Sequence, residues 1–171
     1  MFSIITAPTV SYRCKTRNSK ELLTVDNPLE APLPELVDEW HEAIVTATII
    51  TPAEYHKSIK TLCDERRGIM VAQEFMNNSK VVHFTYDIPL SELITDFFDK
   101  MKSVSSGYAS LDYEFKKYEV ADIVKVVFHL NGDPVDALTF LIHESRAIDF
   151  AKSYCRKLKE LLPAQLFKIA I

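Results

Sequence analysis

Only three glycines occur among 171 residues, at positions 68, 107 and 132. Phosphate-cradling loops of the G-x-x-x-x-G-K-[ST] or G-x-G-x-x-G kind need glycines a few residues apart, because the backbone must approach phosphate without a Cβ in the way. Neither can be assembled here, which excludes holding a nucleotide by those devices. The three cysteines, Cys14, Cys63 and Cys155, are too widely spaced for a metal knuckle and odd in number for a disulfide framework. They read as buried structural thiols in a reducing compartment. No apolar run approaches the ~18 residues of a membrane span. Charge of one sign is also missing: 20 Lys+Arg against 24 Asp+Glu leave a formal net charge of -4. Generic attraction to nucleic acid is therefore excluded, and any RNA contact must come from a local basic patch.

What is present reads as alternating strands and helices. Arg13, Lys15, Arg17 and Lys20 carry charge near the N-terminus without an acid, as in a transit peptide. The β-branched run IITAPTVSY favours a strand instead. A lone strand is not stable, so residues 1–15 read as the tail of a preceding truncated domain. Residues 16–43, with Pro28, Pro32 and Pro34, read as a stiff linker. From there IVTATII predicts a buried strand, and Thr51-Pro52-Ala53-Glu54 a capping box opening a helix. Tyr55, Ile59, Leu62 and Cys63 share one face of that helix, and Gly68 is expected to stop it after Arg66 and Arg67. Strands near 69–75 and 80–87 are joined by the turn MNNS. A second helix opens at Pro89, with Leu90, Leu93, Ile94, Phe97, Phe98 and Met101 at helical spacing, and the strand YASLDYEF closes the unit. The order β-α-β-β-α-β over residues 44–118 predicts an α+β, ferredoxin-like split βαβ fold.

A further unit fills 119–171, with a hairpin around Asn131-Gly132 and a helix from Glu144 carrying Ala147, Ala151, Tyr154, Leu158 and Leu161. Pro163 ends that helix and LFKIAI begins a strand, so the chain is expected to be cut inside this domain.

Candidate chemistry is sparse. SGYASLDY resembles an RNA-recognition strand, but it would be the fourth strand rather than the third. Alternation places Tyr108, Ser110, Asp112 and Glu114 on the open face, where two carboxylates repel phosphate, and Ala109, Leu111, Tyr113 and Phe115 on the core face. Gly107 is expected at positive φ, ending the helix. His83, His129 and His143 read as structural histidines, and Cys63 has no local histidine to activate it as a nucleophile. These features argue against an autonomous enzyme. A small-molecule-sensing regulatory or protein-interaction module on the same fold is the competing reading.

The blocks ITAPTVSY, ATIITPAEY, LCDERRG, YDIPLSELITDFFDKMKSVSSGYASLDYEF, NGDPVDALTFLIH and KLKELLPAQLFKIAI resemble, in order, the LepA family of translation factors, also called elongation factor 4. The resemblance implies that 44–118 correspond to domain V of elongation factor G and 119–171 to the start of a LepA-type C-terminal domain. It implies a ribosome-dependent GTPase acting on elongation through back-translocation or fidelity. GTP and Mg²⁺ would then belong to the parent factor, with no cofactor in this chain. The partners it implies are rRNA, ribosomal proteins and tRNA, without a membrane span or homo-oligomer, and with peripheral inner-membrane association in the parent. Ser105-Ser106 before Gly107-Tyr108, where bacterial members carry SRGYAS, resembles the mitochondrial branch and implies the matrix; the bacterial cytoplasm is the alternative. The basic residues matching the family's ribosome-facing surface are Lys57, Lys60, Arg66, Arg67, Lys100 and Lys102. A solvated helix surface is the competing reading of each.

Overall fold

The computed structural model describes residues 10–130 and 132–161. Most of the expected strand IITAPTVSY, and all of LFKIAI with Pro163, lie outside the described residues. The chain divides into two compact units, a central one of Glu42–Glu119 and a terminal one joining residues up to His41 with those from Val120.

The central unit is α+β. Strand β3 (Val37–Pro52) enters it and pairs antiparallel with β5 (Val81–Pro89), from Ile44 opposite Pro89 to Pro52 opposite Val81. Strand β4 (Ile69–Met76) pairs with the other side of β5, and β6 (Ser110–Ala121) pairs with β3. The resulting order, β6-β3-β5-β4, is that of the split βαβ fold. Alternation decides the faces: Val45, Ala47 and Ile49 of β3 and Val82, Phe84, Tyr86 and Ile88 of β5 point to one side. Helix α1 (His56–Glu65) covers that side with Ile59, Leu62 and Cys63. The second helical segment adds Leu93, Phe97 and Met101.

Several local expectations change. The capping box is absent: Thr51 and Pro52 remain in β3, and the Ala53 N–H donates to the Lys80 carbonyl at 2.8 Å. The hairpin backbone thus satisfies a donor that a side chain was expected to serve. Gly68 does not supply the left-handed residue after α1. That residue is Arg67, with φ 63°, while the Gly68 N–H bonds to the Cys63 carbonyl at 2.9 Å in a Schellman closure. Gly68 is required for another reason, since a Cβ there would lie 2.8 Å from the Cys63 oxygen and 3.0 Å from Tyr86.

The second helix is also not continuous. A short α2 (Leu90–Glu92) runs into a π-turn (Leu93–Phe97) and then α3 (Phe98–Val104). The wider turn shifts the register, so Phe98 is 48% exposed although Phe97 and Met101 are buried. At its end Ser106 and Gly107 both have positive φ, 51° and 84°, and the Gly107 N–H bonds to Lys102 O at 2.7 Å. Gly107 takes the conformation expected of it. Along β6 only Ala109, just before it, and Leu111 join the core, whereas Tyr113 and Phe115 are exposed.

In the terminal unit, β1 (Tyr12–Thr16) lies between β2 (Leu22–Val25) and the first residues of β3, with Tyr12 opposite Val25 and Arg13 opposite His41. The expected linker 16–43 is therefore largely built structure. Its prolines do not extend a rod: Pro28 and Pro34 each open a 3₁₀ turn, the first capped by the Asn27 carboxamide accepting the Leu29 N–H at 3.0 Å. Strands β7 (Ile123–Leu130) and β8 (Asp133–His143) form the expected hairpin, with Gly132 at φ 83°. One face of the hairpin gives Ile123 and Leu141 to a cluster with Tyr12, Cys14 and Val25. Its other face receives α4 (Glu144–Leu161), where Phe150 and Tyr154 pack on Phe128 and Phe140 with Cys155 and Leu158.

Candidate nucleic-acid interface

Helices α1 and α3 each bury one stripe and leave the other to solvent. Their outer surfaces border a groove of ≈ 440 Å³. Lys57, Ser58, Thr61 and Glu65 line it from α1, and Lys100, Ser103 and Val104 from α3. The fold thus brings Lys57 and Lys100, 43 positions apart in sequence, to the same groove. Lys60 and Lys100 are both exposed and bridge one turn along their helices, to Asp64 at 3.0 Å and to Asp96 at 3.4 Å. Exposed i,i+4 pairs of this kind contribute only ~0.3–0.5 kcal/mol, so both ammonium groups remain available to a stronger anion. Lys102 lies with its Nζ 5.5 Å from the Phe98 ring centroid and 3.4 Å from the Gly107 carbonyl.

Arg66 and Arg67 turn inward, against the expectation that they face RNA. Arg66 is 4% exposed, and its guanidinium meets Asp96 at 2.7 Å and Glu92 at 3.8 Å. Burial raises the Asp96 pKa, but the Arg66 hydrogen bond and charge, aided by Lys100, outweigh this and bring it to about 2. Arg67 places both terminal nitrogens on the Glu42 carboxylate, itself 3% exposed. Arg67 follows α1 in the left-handed conformation, and its fork matches the two oxygens of that buried carboxylate. Neither guanidinium is presented to an external phosphate. Glu92 and Asp96 stand one turn apart opposite the helix end, a pairing that sequence spacing alone does not connect to Arg66.

The remaining candidates are structural. Burial, then the charge of Asp64, pushes the Cys63 thiol up to about 12, which keeps it neutral and unreactive near neutral pH. His143 Nδ1 accepts the Ser145 N–H at 3.2 Å at the start of α4, and His129 Nδ1 lies 3.4 Å from the Gly132 carbonyl. Sequence reasoning also missed a ring pair joining the turn before α1 to the turn after α3: Tyr108, 69% exposed, stacks on Tyr55 with centroids 6.4 Å apart and planes at 17°.

Among the described residues the glycines form no phosphate loop. Gly68 is closed against a helix end, Gly107 and Gly132 serve separate turns, and no group of three acidic, histidine or cysteine side chains among the described residues could hold a metal.

Comparison with known families agrees with the fold. Residues 39–126 match the elongation factor G C-terminus, and residues 130–171 match the C-terminus of GTP-binding protein LepA. Among the described residues no helix is long and apolar enough to cross a membrane. The split βαβ topology and a match over half of the chain lead to one statement: this chain belongs to the elongation factor G C-terminus family and carries next to it a segment of the LepA C-terminal type.

Proposed function

We propose that this chain is the ribosome-binding part of a LepA-like translation elongation factor. In this reading the α1/α3 surface contacts rRNA phosphates through Lys57, Lys60, Lys100 and Lys102. The observation that carries it is the groove that gathers Lys57 and Lys100 on the exposed helical layer of an elongation factor G-type unit. A chain of net charge -4 must concentrate its cations to hold RNA, and here they stand beside serine and threonine hydroxyls that also bind phosphate. GTP hydrolysis, back-translocation or fidelity control, and a mitochondrial setting belong in this reading to the complete factor. Arg66 and Arg67 are left out of the contact set.

Co-sedimentation with ribosomes over a series of salt concentrations tests this. Lys57→Gln with Lys100→Gln should weaken binding and flatten the plot of log K against log salt by roughly 0.7–0.9 per lost phosphate contact. Both residues are exposed, so the change in folding stability should stay within about 0.5 kcal/mol. Wild-type affinity and salt slope in the double variant would remove the groove from the contact surface.

A further inference from the structure

A single exposed tyrosine is ordinary, but a stacked, backbone-held pair, two and four positions in sequence from the groove-lining Lys57 and Val104, is not. Tyr108 is 69% exposed, the most exposed aromatic among the described residues. Its position is fixed on both sides. Gly107 before it closes the helix end, and the Ala109 N–H after it donates to Ser105 Oγ at 3.0 Å. That hydroxyl is fully buried and itself donates to the Met101 carbonyl at 2.8 Å. Tyr55 is held in the 3₁₀ turn that opens α1. The ring is therefore displayed with little freedom left to lose, the condition under which an exposed aromatic contributes most to binding.

The charges around the pair are arranged for a nucleotide. Lys102 reaches the carbonyl of Gly107, the residue preceding Tyr108, and Lys57 stands two positions after Tyr55 on the groove wall. Glu54 is exposed beside Tyr55, and Glu65 lines the same groove as the lysines. The Glu54 carboxylate disfavours phosphate at the ring pair itself but not an uncharged base, while Glu65, ten positions along the chain from Tyr55, lies among the groove residues instead. We infer that Tyr108, stacked on Tyr55, is a platform for one unpaired RNA base, whose flanking phosphates run toward Lys57, Lys100 and Lys102. This rests on the reading of the lysine groove as an RNA contact and adds to it the kind of RNA: a bulge or loop with a splayed base, rather than continuous duplex. The open face of β6 plays no part, since Asp112 and Glu114 keep phosphate away from it.

The test uses the 171-residue chain and three RNA hairpins followed by fluorescence anisotropy. One hairpin carries a single bulged nucleotide, one an abasic site at that position, and one is fully paired. The bulged hairpin should bind about 5- to 150-fold more tightly than the other two, the range expected from base–aromatic stacking. Tyr108→Phe should keep the preference, and Tyr108→Ala should abolish it with an unchanged thermal midpoint. Equal binding of bulged and abasic hairpins, or a preference that survives Tyr108→Ala, overturns the platform. Loss of ribosome binding in Tyr108→Ala without any base preference overturns it too, because the ring then meets protein. Lys57→Gln with Lys100→Gln should weaken all three hairpins alike. A base preference that persists while these variants bind like wild type keeps the platform and removes the groove.

Discussion

Two adjacent arginines at the end of α1 have different partners and the same consequence. Each meets carboxylates inside the chain: Arg66 bridges Asp96, which Lys100 also reaches, and Glu92, and Arg67 holds the buried Glu42. Removing one member of a buried pair typically costs ~3–5 kcal/mol, because the surviving charge is left without a partner. Arg67→Ala should therefore destabilise the protein strongly in urea denaturation, and Glu42→Ala in the same background should recover part of the loss. Arg67→Gly should be less damaging than Arg67→Ala by about 1 kcal/mol, since φ 63° suits glycine. An exposed, unpaired Arg67 would instead leave Arg67→Ala within about 0.5 kcal/mol of wild type. The sequence could not reveal these pairings, because a cation at a helix end looks alike whether it faces water or a carboxylate 25 residues away. Gly107 was legible for the opposite reason: helix, fraying serines and strand follow one another locally, and the turn they need is short.

At the scale of elements, periodicity located the second helical segment but could not show its π-turn. Leu90, Leu93, Phe97 and Met101 keep their helical spacing on paper, and only Phe98 betrays the shift by facing solvent. The turn carries Asp96, which pairs with Arg66 of α1's end, so the two helical segments are fastened by a titratable contact. The Asp96 pKa is lowered from its ordinary 3.8 to about 2 in the folded protein. A carboxylate with a depressed folded pKa stabilises fully above its unfolded value, and that contribution fades as pH falls from 3.8 toward about 2. Asp96→Asn should consequently cost less stability at pH 2 than at pH 7, and its acid limb should be shallower than wild type between those pKa values. Because Asp96 is 38% exposed on its side chain, solvent screening keeps the effect modest. Parallel acid limbs in chemical denaturation at each pH would show that Asp96 does not hold the turn. Strand β6 departs from its expected core face for a related reason. Alternation assigns faces, but not how far a covering helix extends along them, and Tyr113 and Phe115 are left uncovered.

The molecule as a whole is divided differently in space than along the chain. A proline-rich, acidic stretch reads as a linker when each segment is judged by its own pattern, because β1 and β2 are too short and mixed to announce a sheet. What makes them structure is a partner more than 100 residues away: Tyr12 donates its hydroxyl to the Leu141 carbonyl at 3.1 Å and packs with Ile123 and Leu141. The family matches also meet near Leu130, inside the β7–β8 hairpin, so neither match corresponds to the terminal unit. The central unit, by contrast, is one continuous segment with its own core of strand and helix residues. Glu42–Glu119 produced alone should therefore fold cooperatively, whereas a chain ending at Glu119 should keep that fold but lose order in residues 10–41. Amide hydrogen exchange distinguishes the two regions. In the full chain the β1 and β2 amides should be protected; in the shortened chain they should exchange near the unfolded rate, while Val82, Phe84 and Tyr86 of β5 stay protected. Protection of β1 that survives removal of Ile123 and Leu141 would mean that the N-terminal strands do not depend on the hairpin, and the division into a central and a terminal unit would have to be redrawn.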